Sequence, residues 1–277
     1  MTSPAFSPVL PLHDGRSIPQ LGLGVYKVDD AKAESLVAGA IELGYRHIDT
    51  ATLYENERGV GEGMRASGVA REDLFVTTKV WNDRHGFEET QRAFDESIDK
   101  LGLDYVDLYL IHWPAPRQDK YVDAWRALVK LQEEGRVRSI GVSNFKPHHI
   151  RRLADVSDVL PVINQVELHP WLPQSEVREF DASLNILTES WSPLARGRVL
   201  DNEILDGIAD KHGKTPAQVV LRWHVQLGLV VIPKSNSLAR VEENSQVFDF
   251  ELDVVDLAAI ASLETGERTG MDPDLHG

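Results

Sequence analysis

Four polar residues of this 277-residue chain stand at or near the ends of short apolar runs: Asp49 after YRHI, Tyr54 just beyond it, Lys79 within LFVTTKV, and His112 after DLYLI. Together they could protonate an oxygen that gains negative charge. Hydride reduction of a carbonyl makes such an oxygen, and a phenol with pKa near ~10 is a poor donor unless it is perturbed. An ammonium at Lys79 would lower the pKa of Tyr54, while Asp49 paired with Lys79 would hold that ammonium in place and charged. His112 would orient the carbonyl oxygen and hydrogen-bond it as charge develops. No metal is then required. A lysine in this position is also the nucleophile of Schiff-base aldolases, although pairing with Asp49 disfavours that use because a protonated amine is a poor nucleophile. A cofactor sensor or structural protein on the same fold is a third reading, since fold does not dictate activity.

The elements that must position these residues are legible as a repeat. Helical segments with one apolar face end at a glycine that is followed at once by a β-type run. Leu36, Val37, Ala40 and Ile41 lead to Gly44 and YRHIDT; Phe94, Ile98 and Leu101 lead to Gly102 and DYVDLYLIHW; Trp125, Leu128 and Leu131 lead to Gly135 and VRSIGVSN. A fourth helix begins with Thr215 as cap and Pro216 in its first position, and reaches Gly228 and LVVIPKS. GLGV at 22–25, LFVTTKV at 74–80, LPVINQVE at 160–167 and NILTESW at 185–191 complete eight strand candidates. Parallel neighbours need a crossover of about a dozen residues or more, and these spacings allow one helix each. The expected fold is α/β, a (β/α)8 TIM barrel of one domain over residues 1–277, with VLPLHDGRSIPQ as an N-terminal β-hairpin cap around Asp14-Gly15. Barrel chemistry sits at the C-terminal strand ends, where Ser143-Asn144, Gln165, Trp191 and Lys234-Ser235 join the first four residues.

Composition narrows the partners. The chain is 42% hydrophobic and 26% charged, ordinary for a globular protein, and its 44 acidic against 29 basic residues give a net charge of -15. That charge repels nucleic acid and anionic membranes, so any bound anion needs a local basic cluster. The absence of cysteine rules out thiol nucleophiles, Cys-ligated metal and disulfides. The N-terminal stretch lacks a basic region and is interrupted by Pro4, Pro8 and Pro11, unlike a signal peptide, so a cytoplasmic location is expected. No glycine fingerprint of a Rossmann fold is present: Gly22 and Gly24 lack the third glycine, and Gly59, Gly61 and Gly63 fall inside a helix-like segment. GKT at 213–215 has Ile208 where a P-loop needs glycine. His148 and His149, adjacent on a helix, are expected to point in different directions, and no metal site is expected.

GYRHIDTATLYENERGVG, TTKVWN, DLYLIHWP, SIGVSNF, NQVELHP and IPKSNSLARVEEN, spread over nearly the whole chain, resemble the signatures of the aldo-keto reductase family. KVWNDRH and LRWHVQLGLVVIPKS are similar to the bacterial group that includes 2,5-diketo-D-gluconate reductases. The resemblance implies NADPH-dependent reduction of aldehydes, ketones or α-dicarbonyls by a monomer, with Tyr54 as general acid assisted by Asp49, Lys79 and His112. It implies nicotinamide contacts from Ser143, Asn144, Gln165, Trp191 and Leu194, and places Lys234, Ser235 and Arg240 at the adenosine 2′-phosphate, with Glu243 and Asn244 near the adenine. Tyr26, Trp81 and Trp113 become pocket walls beside His112. Ser237, placed to cap the next helix, stands where a second arginine can occur, which admits NADH as a weaker cofactor. Ser192 stands where glycine can occur. Arg196 is expected in solvent, and the tail from Thr265 either folds over the pocket or is disordered.

Overall fold

The computed structural model describes residues 5–277; the first four residues, Pro4 among them, lie outside the described residues. The expected hairpin forms from β1 (Val9–Pro11) and β2 (Ser17–Pro19), paired antiparallel. The eight expected strands follow as β3 (Leu23–Gly24), β4 (His47–Asp49), β5 (Phe75–Val80), β6 (Val106–Ile111), β7 (Val137–Ser143), β8 (Ile163–Glu167), β9 (Leu187–Trp191) and β10 (Val230–Ile232). Each pairs in parallel with the next, and bridges from Leu21 to Val231 and from Gly24 to Lys234 bring the first edge against the last. This is a (β/α)8 barrel.

The crossovers are helical: α1 (Asp30–Glu42), α2 (Glu57–Ser67), α3 (Phe87–Leu101), α4 (Tyr121–Glu133), α5 (Pro147–Ala154), α6 (Ser175–Ser183), then α7 (Glu203–His212) and α8 (Pro216–Gln226) in succession. α9 (Leu238–Ser245) follows the last strand, and α10 (Val254–Ala261) precedes the tail. Thr215 caps α8 as expected, its hydroxyl accepting from the Gln218 amide while Gln218 reaches back to Thr215. Gly213, read as a false P-loop, ends α7 in the left-handed region at φ 62°.

Leu12 and Ile18 of the hairpin pack with Phe75, Leu108, Leu110, Ile163 and Val230, closing the end of the barrel opposite the strand C-termini. The larger apolar clusters fill the layer between strands and helices. Leu108 through Ile111 is fully buried on both faces, as its unbroken apolar run requires.

The glycines that failed as a nucleotide fingerprint have a packing role. A Cβ on Gly59 or Gly63 would run into the Asp30 or Glu34 carbonyl of α1, and one on Gly61 would sit on the Leu101 carbonyl at the end of α3. Helix α2 is therefore wedged backbone to backbone between its neighbours, and the 3-10 turn Thr52–Tyr54 is carried on its N-terminal side. Gly61→Ala is expected to lower unfolding free energy by ~2–3 kcal/mol, since a close-packed contact has no room for a methyl. Denaturant unfolding checks this; an unchanged midpoint would contradict the packing.

Candidate functional site

Strand β4 ends at Asp49 and the chain turns at once through Thr52–Tyr54, which carries the phenol back over the barrel mouth. From the neighbouring strand β5, Lys79 is fully buried and donates from Nζ to Asp49 Oδ1 at 2.6 Å and to the Thr50 carbonyl at 2.8 Å. The same ammonium lies 5.1 Å from the centre of the Tyr54 ring. The His112 ring, just beyond β6, meets that ring edge-on at 5.6 Å. All four residues expected to act together are thus brought together. Removing one partner of such a buried ion pair costs ~3–5 kcal/mol, because the other is left as an uncompensated charge.

The electrostatics correct one expectation. Burial raises the Tyr54 phenol well above its ordinary value, and Asp49, Tyr26 and Glu189 raise it further, so the net shift is upward despite the Lys79 ammonium 5.1 Å from the ring. Burial is the larger cause, and the charge of Asp49, 2.6 Å from Lys79, works against that cation at the phenol. His112 moves the other way, held well below its ordinary value by burial and then by Lys79, so its ring is neutral.

Beneath these residues lies a layer that the sequence reading missed. Gln165, expected at the cofactor, donates from Nε2 to Asp49 Oδ2 and to Glu189 Oε2, both at 2.9 Å. Glu189 and His47 are fully buried, 3.8 Å apart, and the His47 ring bonds Thr77 at 3.2 Å. Strand parity was the available signal: Glu189 precedes Trp191 by two, as His47 precedes Asp49 and Thr77 precedes Lys79, so all face the barrel interior.

Beside the four, Ser143 donates to the Gln165 carbonyl at 2.8 Å, and Asn144 donates to the His112 carbonyl at 2.9 Å while its Oδ1 accepts from the Trp191 indole at 2.9 Å. Leu194 packs at the junction of the two apolar layers. Ser192 has φ 52°, which explains why glycine suits that position. Lys234 and Arg240 are exposed, and with Lys27, a cation not foreseen, they form a cluster; burial, Lys27 and Arg240 all pull Lys234 below its ordinary pKa. Among the described residues no carboxylate lies within ion-pair distance of these three. A groove of about 320 Å³ lined by Lys27, Lys32, Ser35 and Asn236 adjoins them. Ser235 folds locally onto Ser237, accepting its N–H at 3.1 Å, and Ser237 occupies the cap position of α9 without a side-chain capping bond, contrary to expectation. Glu243 accepts from Thr215 at 2.7 Å and Asn244 is buried.

The walls are aromatic. Tyr26 stacks on Tyr54 at 5.1 Å, and Trp81 meets His112 at 5.0 Å. The tail folds over this mouth: Glu167 accepts from the Thr269 amide and hydroxyl, Lys146 binds Asp272 and Asp274, and His276 packs on Trp113 at 4.5 Å. Arg196 is exposed. The histidine expectation was wrong: at the first turn of α5 both His148 and His149 approach Asp274 Oδ1, at 3.1 and 3.4 Å. This trio is nonetheless a poor cation site, because His149 Nδ1 accepts the Lys146 N–H and so carries its proton on Nε2, the atom facing Asp274. It serves as a latch for the tail.

Comparison with known proteins agrees with this geometry. The model of the Aldo/keto reductase family matches residues 20–265. An aldo-keto reductase of Mycolicibacterium smegmatis is 53% identical, covering 96% of this chain and 97% of its own, and the methylglyoxal reductase DkgA of Yersinia pestis is 52% identical, covering 98% of each. A crystal structure of a Gox0644 mutant in complex with NADPH superposes with TM-score 0.94 at 48% identity over 98% of this chain and 99% of that one. The Bombyx mori aldo-keto reductase in complex with NADP gives 0.90 at 38% identity, covering 99% and 97%. A match of this extent, on a barrel whose mouth gathers Asp49, Tyr54, Lys79 and His112, places the chain in the Aldo/keto reductase family.

Proposed function

We propose that this protein reduces aldehydes, ketones or α-dicarbonyls to alcohols with NADPH, and that Tyr54 is the general acid. The observation that carries the reading is the phenol at the barrel mouth between the buried Lys79–Asp49 pair and the neutral ring of His112. NADPH, when bound, supplies the hydride. The chain supplies the rest. A phenol raised above its ordinary pKa stays protonated across physiological pH and still gives its proton to an alkoxide, which is far more basic. His112, neutral, steers the carbonyl oxygen by hydrogen bonding without competing as an acid. Lys79 keeps a positive charge below the phenol as its proton leaves.

The residues fit the cofactor. Lys27, Lys234 and Arg240 are a cluster of cations without acid partners on a strongly acidic protein, suited to a 2′-phosphate, and Ser235 stands beside them. Ser143, Asn144 and Gln165 surround the position for the carboxamide, with Trp191 and Leu194 at the ring, while Glu243 and Asn244 lie on the adenine side. Tyr26, Trp81, Trp113 and His112 make the substrate wall. Relatives named methylglyoxal reductase make methylglyoxal the first substrate to offer, ahead of keto-sugar acids. The reading takes residues 1–277 as one barrel unit acting as a cytoplasmic monomer.

Tyr54→Phe is expected to bind NADPH as wild type does and to lose ~10²–10⁴-fold in turnover of methylglyoxal, followed by NADPH absorbance. Retention of near-normal turnover would remove Tyr54 from its role. Arg240→Ala is expected to weaken NADPH binding by ~10–100-fold while leaving NADH nearly unaffected, as loss of a hydrogen bond between charged groups requires. Equal losses for both cofactors, measured by fluorescence titration, would place the phosphate elsewhere.

A further inference from the structure

Gln165 links Asp49 by hydrogen bonds to a second buried acid, Glu189. Its Nε2 sits 2.9 Å from Asp49 Oδ2 and 2.9 Å from Glu189 Oε2, so both amide hydrogens are committed. The amide then has one polar atom left, the acceptor Oε1. Whatever the nicotinamide carboxamide offers to Gln165 must therefore be its own N–H. Without Glu189 one amide hydrogen would be free, and the Asp49 bond alone would hold the side chain.

Glu189 is held within the barrel on all sides. Strand β4 faces it with His47 and Asp49, β5 with Lys79, β8 with Gln165 and the turn after β4 with Tyr54, while Val230 of β10 is its register partner. Its Oε2 accepts from Gln165, while Oε1 has no partner among the described residues and lies 3.8 Å from His47 Nε2. One amide N–H is thus the only hydrogen bond this fully buried carboxyl receives among the described residues, which disfavours its charged form. Burial, and then the charge of Asp49, raise the Glu189 carboxyl to about 8, while His47 is lowered to about 3 by burial and Lys79 and stays neutral.

We propose that Glu189 is a positioning residue: by accepting the second Gln165 N–H it holds that amide with its acceptor toward the carboxamide, and on the alkaline side its ionisation disables the site by adding a second negative charge beside Asp49. This rests on the functional reading above. A second negative charge beside Asp49 would compete for Lys79 and raise the Tyr54 phenol still further. The sign for stability follows from the same shift. A carboxyl raised in the fold is kept protonated there while the unfolded chain loses its proton, so stability falls as pH rises from the ordinary carboxylate range to about 8.

The test compares wild type, Glu189→Gln and Glu189→Leu. Measurements are NADPH Kd by fluorescence quenching, methylglyoxal turnover from pH 6 to 9.5, and the Tm of the cofactor-free protein over the same range. An acid titrating near 8 leaves about one tenth protonated at pH 9. Wild-type turnover is therefore expected to fall about tenfold from pH 7 to 9, whereas Glu189→Gln, which mimics the neutral acid, stays flat and loses less Tm. Glu189→Leu is expected to bind NADPH about tenfold more weakly at every pH. Coincident pH profiles for wild type and Glu189→Gln, or wild-type affinity in Glu189→Leu, overturn the proposal; if the leucine variant does not fold, the glutamine profile decides alone. A wild type that neither binds NADPH nor reduces methylglyoxal at pH 7 removes the functional reading and this inference with it. A working wild type with coincident profiles removes this inference only.

Discussion

The site depends on one buried ion pair. Lys79 is fully enclosed with Asp49 at 2.6 Å, and the barrel interior tolerates the lysine only because Asp49 and the Thr50 carbonyl absorb its charge and hydrogens. Transfer of a lone ammonium into such surroundings would be prohibitive. The pair then dictates its neighbours. Burial and then its lysine keep His112 neutral, it shares Asp49 with Gln165 and so reaches Glu189, and burial and then its aspartate hold the Tyr54 phenol high. The apolar hairpin plug at one end and the aromatic walls at the other keep water from screening these interactions.

The barrel was readable because four helices end at a glycine with a strand a few residues beyond, at Gly44, Gly102, Gly135 and Gly228, so the punctuation repeats even though β3 shrinks to Leu23–Gly24. The four residues at the mouth were readable from their place at strand ends. What escaped was set by alternation and by distance along the chain. Glu189 in NILTESW looks like a surface acid until its parity with Trp191 is followed inward, and Lys27 joins Lys234 and Arg240 only through barrel closure. The direction of the Tyr54 shift escaped for a different reason: it depends on how burial and Asp49 outweigh a neighbouring cation, which residue types alone do not give.

The molecule also solves a charge problem. With a net charge of -15 it must bind a polyanionic cofactor under the proposed function, and it gathers Lys27, Lys234 and Arg240 at one corner of the rim. On the tail side Lys146 holds Asp272 and Asp274, so that the tail lies across the mouth with His276 on Trp113.

The central claim is that Lys79 serves as the charge beneath a proton donor, with hydride arriving from the cofactor, and not as a covalent nucleophile. The most direct measurement is the fate of deuterium when the protein acts on methylglyoxal with NADPH labelled at the nicotinamide C4. The account predicts deuterium on the carbon of the product alcohol from one of the two C4 faces, and an unmodified Lys79 peptide when borohydride is added. Product carbon labelled only from solvent, or a reduced adduct on Lys79, would contradict it.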